Sequence, residues 1–197
     1  MTPSVARVAE CARTVPGVEH VEIDGSTARG DRTPLSDWDF DVKLRAGTPV
    51  ESLAEPDYDA LAVFWDPLSR RANLIVLVNG PEKIDLIVAD RPNPEPIDAW
   101  TANAETLPRL DLHFWDWTLW LAAKQVRGDT ALVRKELDRM QETLLGPLGS
   151  NEAPSDIADS IGRYDLHRAQ QEQEFGVSVD RRLGEQVRTR LRQHELA

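Results

Sequence analysis

In the segment S-D-W-D-F-D-V, residues 36–42, acidic and apolar side chains alternate without a break after Ser36. Successive residues of a β-strand point to opposite faces, so this pattern forces one face to be carboxylate and the other to be core. Asp37 and Asp39 then stand together, and Trp38, Phe40 and Val42 turn the other way. Adjacent carboxylates repel, and a hard divalent cation relieves that repulsion by taking oxygen ligands. Upstream, residues 18–24 read as a β-rich run that ends in Gly25-Ser26. A glycine there allows close backbone approach to an anion, and the serine adds a hydroxyl and an N–H donor. Residues 25–35 read as a turn and loop facing a phosphate, and residues 36–44 as the strand bearing the metal ligands.

G-S-T-A-R-G followed by S-D-W-D-F-D-V resembles the signature of the DNA polymerase β-type nucleotidyltransferase superfamily. The linker length and the A-R-G after Gly25-Ser26 are most similar to bacterial members, namely antibiotic (aminoglycoside or lincosamide) nucleotidyltransferases and minimal nucleotidyltransferases. The resemblance covers residues 15–90 and implies a third carboxylate on a later strand, which E-K-I-D-L-I-V supplies as Asp85. A lone acid in an apolar strand is costly unless it has a partner or a purpose, and a buried arginine partner is the structural alternative. Asp41 occupies a position that is apolar in the family, so a shifted pair of Asp39 and Asp41 stays open.

By this resemblance, Asp37, Asp39 and Asp85 are the catalytic residues and the metal ligands, holding two Mg²⁺ ions. Gly25, Ser26 and Arg29 are the nucleotide contacts, although exposed loop arginines, here Arg29 and Arg32, are generally only solvated. A lysine from a helical second domain reaches the triphosphate in some relatives, and Lys124 is similar in placement; its alternative is a lysine that snorkels along apolar surface.

The expected fold is α+β: a mixed β-sheet nucleotidyltransferase domain with flanking helices over residues 1–92, then a helical bundle over 97–197. Residues 91–96 carry Pro92, Pro94 and Pro96 and read as the linker, since prolines at that density forbid helix and central strand. In the first part a helix is expected over 4–14, a short one at 50–53, and strands at 61–65, 74–78 and 83–88, the last two joined by the hairpin signal Asn79-Gly80-Pro81. In the second part helices are expected over 97–107, 112–127 with Asp111 as N-cap, 130–145 behind Asp129, 155–174 and 180–196. Phe114, Trp115, Trp117 and Trp120 crowd the second of these, mostly as core, with one ring left for a ligand.

A net charge of −11 argues against nucleic acid as partner and suits a cationic small acceptor, though an acidic surface also serves solubility alone. Cys11 has no second cysteine to pair with, and no apolar run approaches a membrane span, so a reducing cytoplasm is the expected setting. The four histidines are scattered without zinc-site spacing and read as surface or packing residues. The implied reaction is transfer of a nucleoside monophosphate, AMP favoured, from an NTP to a hydroxyl of a small molecule such as an aminoglycoside. The alternatives are adenylylation of a protein partner of the toxin–antitoxin type, and a non-catalytic nucleotide-binding relative. Relics of the latter kind lose a carboxylate, and this chain keeps all three.

Overall fold

A computed structural model of the chain describes residues 1–196 and divides into two compact units, Met1–Pro96 and Ile97–Ala197. The first is α+β. Helix α1 (Pro3–Thr14) starts behind Thr2, whose hydroxyl accepts the Val5 N–H, and buries Val5, Val8, Ala9 and Ala12 at helical spacing. Five strands follow: β1 (Val18–Ile23), β2 (Trp38–Leu44), β3 (Ala62–Trp65), β4 (Arg71–Val78) and β5 (Glu82–Pro92). They form a single sheet in the order β1-β2-β5-β4-β3. Neighbours are antiparallel except β2 and β5, which run parallel at its centre.

One face of this sheet is apolar throughout. Trp38, Phe40 and Val42 from β2, Leu74 and Val76 from β4, and Ile84, Leu86 and Val88 from β5 are buried in one cluster with the inner side of α1. Each fully buried aliphatic side chain is worth about 1.5–3 kcal/mol, so this face fixes the strand register. The carboxylates of β2 therefore have only the other face to occupy.

Two expectations for this unit need correction. Residues 25–29 are not loop but a five-residue helix, α2 (Gly25–Arg29), closed by Gly30 in the left-handed region at φ 76°. The stretch at 91–96 is linker only in part, because β5 continues through Arg91 to Pro92. A register shift between Arg71 and Ala72 sets Pro92 opposite Arg71 at the strand's end, where the missing N–H interrupts nothing central. The expected short helix at 50–53 is present as a 3-10 helix, Val50–Ala54.

The second unit is helical: α3 (Leu107–Arg127), α4 (Thr130–Met140), α5 (Ile157–Phe175) and α6 (Arg182–Arg192). No helix forms over 97–106. That segment is held instead by Trp100, whose backbone N–H donates to Thr143 and whose Nε1 donates to His113 Nδ1 at 2.9 Å. The side chain of Asn103 also accepts from the backbone of Glu105 and Thr106. After Met140 the helical turn widens to a π segment, Gln141–Leu145. His113 is a packing histidine, stacked on Trp117 with ring centroids 5.3 Å apart.

Asp111 is not an N-cap. Helix α3 begins four residues earlier, with Pro108 in its first turn, and Asp111 lies 1% exposed in its interior. It accepts hydrogen bonds from Tyr164 Oη at 2.5 Å and Trp115 Nε1 at 3.2 Å, with the Arg168 guanidinium 3.6 Å away. Phe114 stacks on Tyr164 beside it, at 3.8 Å between centroids. Burial pushes the Asp111 carboxyl above the usual carboxylate range, against the downward pull of Tyr164, Arg168 and Trp115. The protonated form is thus favoured in the fold, and this contribution is fully present below the unfolded pKa and lost as pH rises through the raised folded value. Asp111→Asn removes that slope. The difference in melting temperature, variant minus wild type, should therefore become more positive from about pH 4 to about pH 7 in thermal melts. A difference that is flat or falling with pH would contradict the assignment.

Candidate metal and nucleotide site

The carboxylate-bearing face of the sheet is assembled at the parallel seam. Asp39 of β2 and Asp85 of β5 are register partners, so their side chains leave the sheet side by side. Asp37 immediately precedes β2 and continues the same face by two-residue spacing, so the strand starts later than the sequence suggests. Oxygens of Asp37, Asp39 and Asp85 lie within 4.8 Å of one another. Asp41 shares the alternation, but its register partners are Ile87 and Glu22, and it stands outside this cluster. The geometry therefore joins Asp37 and Asp39 to Asp85, and leaves the Asp39–Asp41 pairing aside.

The Gly25 bend is pressed onto the cluster. The Asp24 N–H donates to the Asp39 carbonyl at 2.9 Å, which pins the end of β1 against β2. Gly25 then turns at φ 63°, and a Cβ built there would lie 1.8 Å from Asp39 Oδ2. Only glycine fits at that point. The next residue, Ser26, is 3% exposed, and its hydroxyl has no hydrogen-bond partner among the described residues; nor has the buried Thr27 hydroxyl. Buried hydroxyls are nearly always paired, so two orphans on the turn beside the acids mark a place where polar partners are missing.

The arginines are arranged differently from the sequence expectation. Arg29 sits on the exposed end of α2 and pairs with Asp31 at 3.6 Å. Arg32 instead lies over Trp38, its Cζ 3.9 Å from the ring centroid, and donates to the Ser36 carbonyl at 3.0 Å. Its guanidinium pKa is lowered by burial, with the charges of Glu82 and Asp37 acting in the opposite direction. The charge of Arg32 is thus within electrostatic reach of Asp37 in the acid cluster. The loop that carries it into β2 is closed by Ser36, whose hydroxyl accepts the Thr33 N–H at 2.9 Å.

Asp85 is 4% exposed and has the partner that a buried acid requires, though it is not an arginine. Lys83 Nζ reaches its Oδ1 at 2.9 Å, and Asn73 Nδ2, from β4, reaches the same oxygen at 2.8 Å. Sequence reasoning passed over Lys83, yet its two-residue spacing from Asp85 was the available signal. Lys124 belongs to α3 of the helical unit, where its ammonium lies 4.8 Å above the ring of Trp120. Of the crowded aromatics, Phe114, Trp115 and Trp117 are core, and Trp120 alone is partly exposed.

The donor set suits a hard divalent cation. All the clustered ligand atoms are carboxylate oxygens, with no imidazole or thiolate among them, which is the chemistry of Mg²⁺ or Mn²⁺ rather than zinc. No family model and no curated protein matches this chain. Among solved structures, the chain is similar to the crystal structure of an aminoglycoside 6-adenyltransferase from Bacillus subtilis, at 10% sequence identity and a TM-score of 0.33, over 99% of this chain and 98% of that one.

Proposed function

We propose that this protein is a Mg²⁺-dependent nucleotidyltransferase that moves a nucleoside monophosphate, with ATP as the favoured donor, onto a hydroxyl of a small molecule. The observation that carries this reading is the convergence of Asp37, Asp39 and Asp85 within 4.8 Å, directly against a bend where no side chain fits. Asp37, Asp39 and Asp85 would hold the divalent ions, which would supply charge neutralisation for the phosphates of an in-line displacement.

The chain's own residues have four tasks. Asp37, Asp39 and Asp85 supply the oxygen ligands. Gly25 keeps the bend close to Asp39, so that a phosphate meets backbone rather than a side chain. Ser26 offers its unpaired hydroxyl as a donor to that phosphate. Arg32, held on Trp38, supplies positive charge beside Asp37, a role the sequence suggested for Arg29. Catalysis of this kind rests on positioning and charge neutralisation, and the displacement leaves pyrophosphate and a nucleotidylated acceptor. The net charge of −11 favours a cationic acceptor, of which an aminoglycoside is an example.

The test is a thermal melt. ATP with Mg²⁺ should raise the melting temperature well beyond the rise that Mg²⁺ alone gives, by mass action on the folded state. An aminoglycoside should add a further rise, and labelled ATP should then release pyrophosphate. No response to any NTP with Mg²⁺ would refute the reading.

A further inference from the structure

Lys83 stands out among the groups around the site because it is a cation where the sheet exposes almost nothing. It is 9% exposed and lies two residues before Asp85 on the same face of β5. A lysine is almost never this deeply buried without a charge partner, and removing an ammonium from water costs several kcal/mol unless one is present. Asp85 Oδ1 is that partner at 2.9 Å, and Asn73 Nδ2 binds the same oxygen at 2.8 Å. One carboxylate oxygen of the triad therefore already serves a fixed cation and an amide.

We infer that Lys83 is an internal counter-ion that sets how many divalent ions the triad accepts: one in the nucleotide-free protein, with the second admitted only together with triphosphate oxygens. This rests on the reading that the triad is a divalent-metal site. The charge count supports it. The charge of Arg32 beside Asp37 is offset by that of Glu82, so three carboxylates at −3 and Lys83 at +1 leave −2 for a single divalent ion to balance. A second ion alone would bring +2 into a place already neutral and adjacent to a buried ammonium, which Coulomb repulsion at short range opposes. A triphosphate brings the missing negative charge with it. Lys83 thus ties full metal loading to the presence of the nucleotide.

Mn²⁺ is the probe, counted by electron paramagnetic resonance of the free ion against full-length protein without nucleotide. Wild type should bind one Mn²⁺, and two once a non-hydrolysable ATP analogue is added. Lys83→Gln keeps a donor for Asp85 but removes the charge; it should bind Mn²⁺ about tenfold tighter or more, or take a second ion without nucleotide. Lys83→Arg, which keeps the charge, should behave as wild type. Circular dichroism identifies any variant that fails to fold. Should Lys83→Gln fold but prove too labile for the titration, an Mg²⁺-induced rise in its melting temperature larger than that of wild type would carry the same information, and its absence would count against the inference. Unchanged stoichiometry and affinity in a folded Lys83→Gln would overturn the inference alone, as would two ions on nucleotide-free wild type. Wild type that binds no Mn²⁺ with or without the analogue would overturn the metal-site reading with it.

Discussion

Asp39→Asn is expected to leave a folded protein that has lost turnover by about 10³-fold or more, the scale on which removing a centrepiece of charge stabilisation acts. Asp39 faces Asp85 across the parallel seam and touches the Gly25 bend, so it belongs to both halves of the site. Its Cβ is directed away from the apolar face, and no core contact is lost when the charge goes. Stability without metal should change little, because Asp39 lies off the apolar face. Pyrophosphate release from labelled ATP and a melt in chelator would check the two halves of this expectation. A variant that retains turnover, or one that unfolds, would show that Asp39 has been given the wrong task.

Gly25→Ala attacks the same contact from the other side. The new methyl would sit 1.8 Å from Asp39 Oδ2, on a backbone at φ 63° that L-residues adopt at a cost. Either the bend lifts from β2, breaking the Asp24–Asp39 backbone hydrogen bond, or Asp39 swings out of the triad. A loss of about 1–3 kcal/mol follows, together with loss of the stabilisation that Mg²⁺ confers. Gly30→Ala is the control. It sits five residues on in the same segment, at φ 76° and with nothing within 4 Å of a Cβ, so it suffers the backbone strain without the collision. Urea unfolding with and without Mg²⁺ separates the two: Gly30→Ala should keep the magnesium response that Gly25→Ala loses. Equal responses in both variants would mean that the bend does not govern Asp39.

The acid-and-core alternation of β2 was legible because burial on one face and charge on the other leave a strand no second register. An apolar run behind the Asn79-Gly80-Pro81 hairpin signal placed Asp85 on a strand. What it could not give was the partner. Lys83 stands two residues away on the same strand, but Asn73 reaches Asp85 Oδ1 from β4, and only pairing of β4 with β5 brings the two together on one oxygen. Helix α2 was unreadable for another reason, since five residues are too few to show a helical period and Gly25 reads as a turn. Asp111 failed in the opposite direction. An acid before an apolar run is ordinarily a cap, and its actual partner, Tyr164, lies 53 residues downstream. Long-range polar pairing inside a core leaves no periodic trace.

The parallel seam also has a consequence for how a newly made chain acquires its chemistry. Strand β2 ends at Leu44, and its parallel neighbour begins only at Glu82, after β3 and β4 have been traced. Pairings so distant along the chain form late, because the intervening loop must be ordered before any contact rewards it. Asp37 and Asp39 thus leave the ribosome well before Asp85 does, and a half-synthesised sheet holds two acids without the third. Affinity for the ion should therefore appear abruptly on completion of β5, making metal capture a reporter of a finished sheet rather than a nucleus for building it.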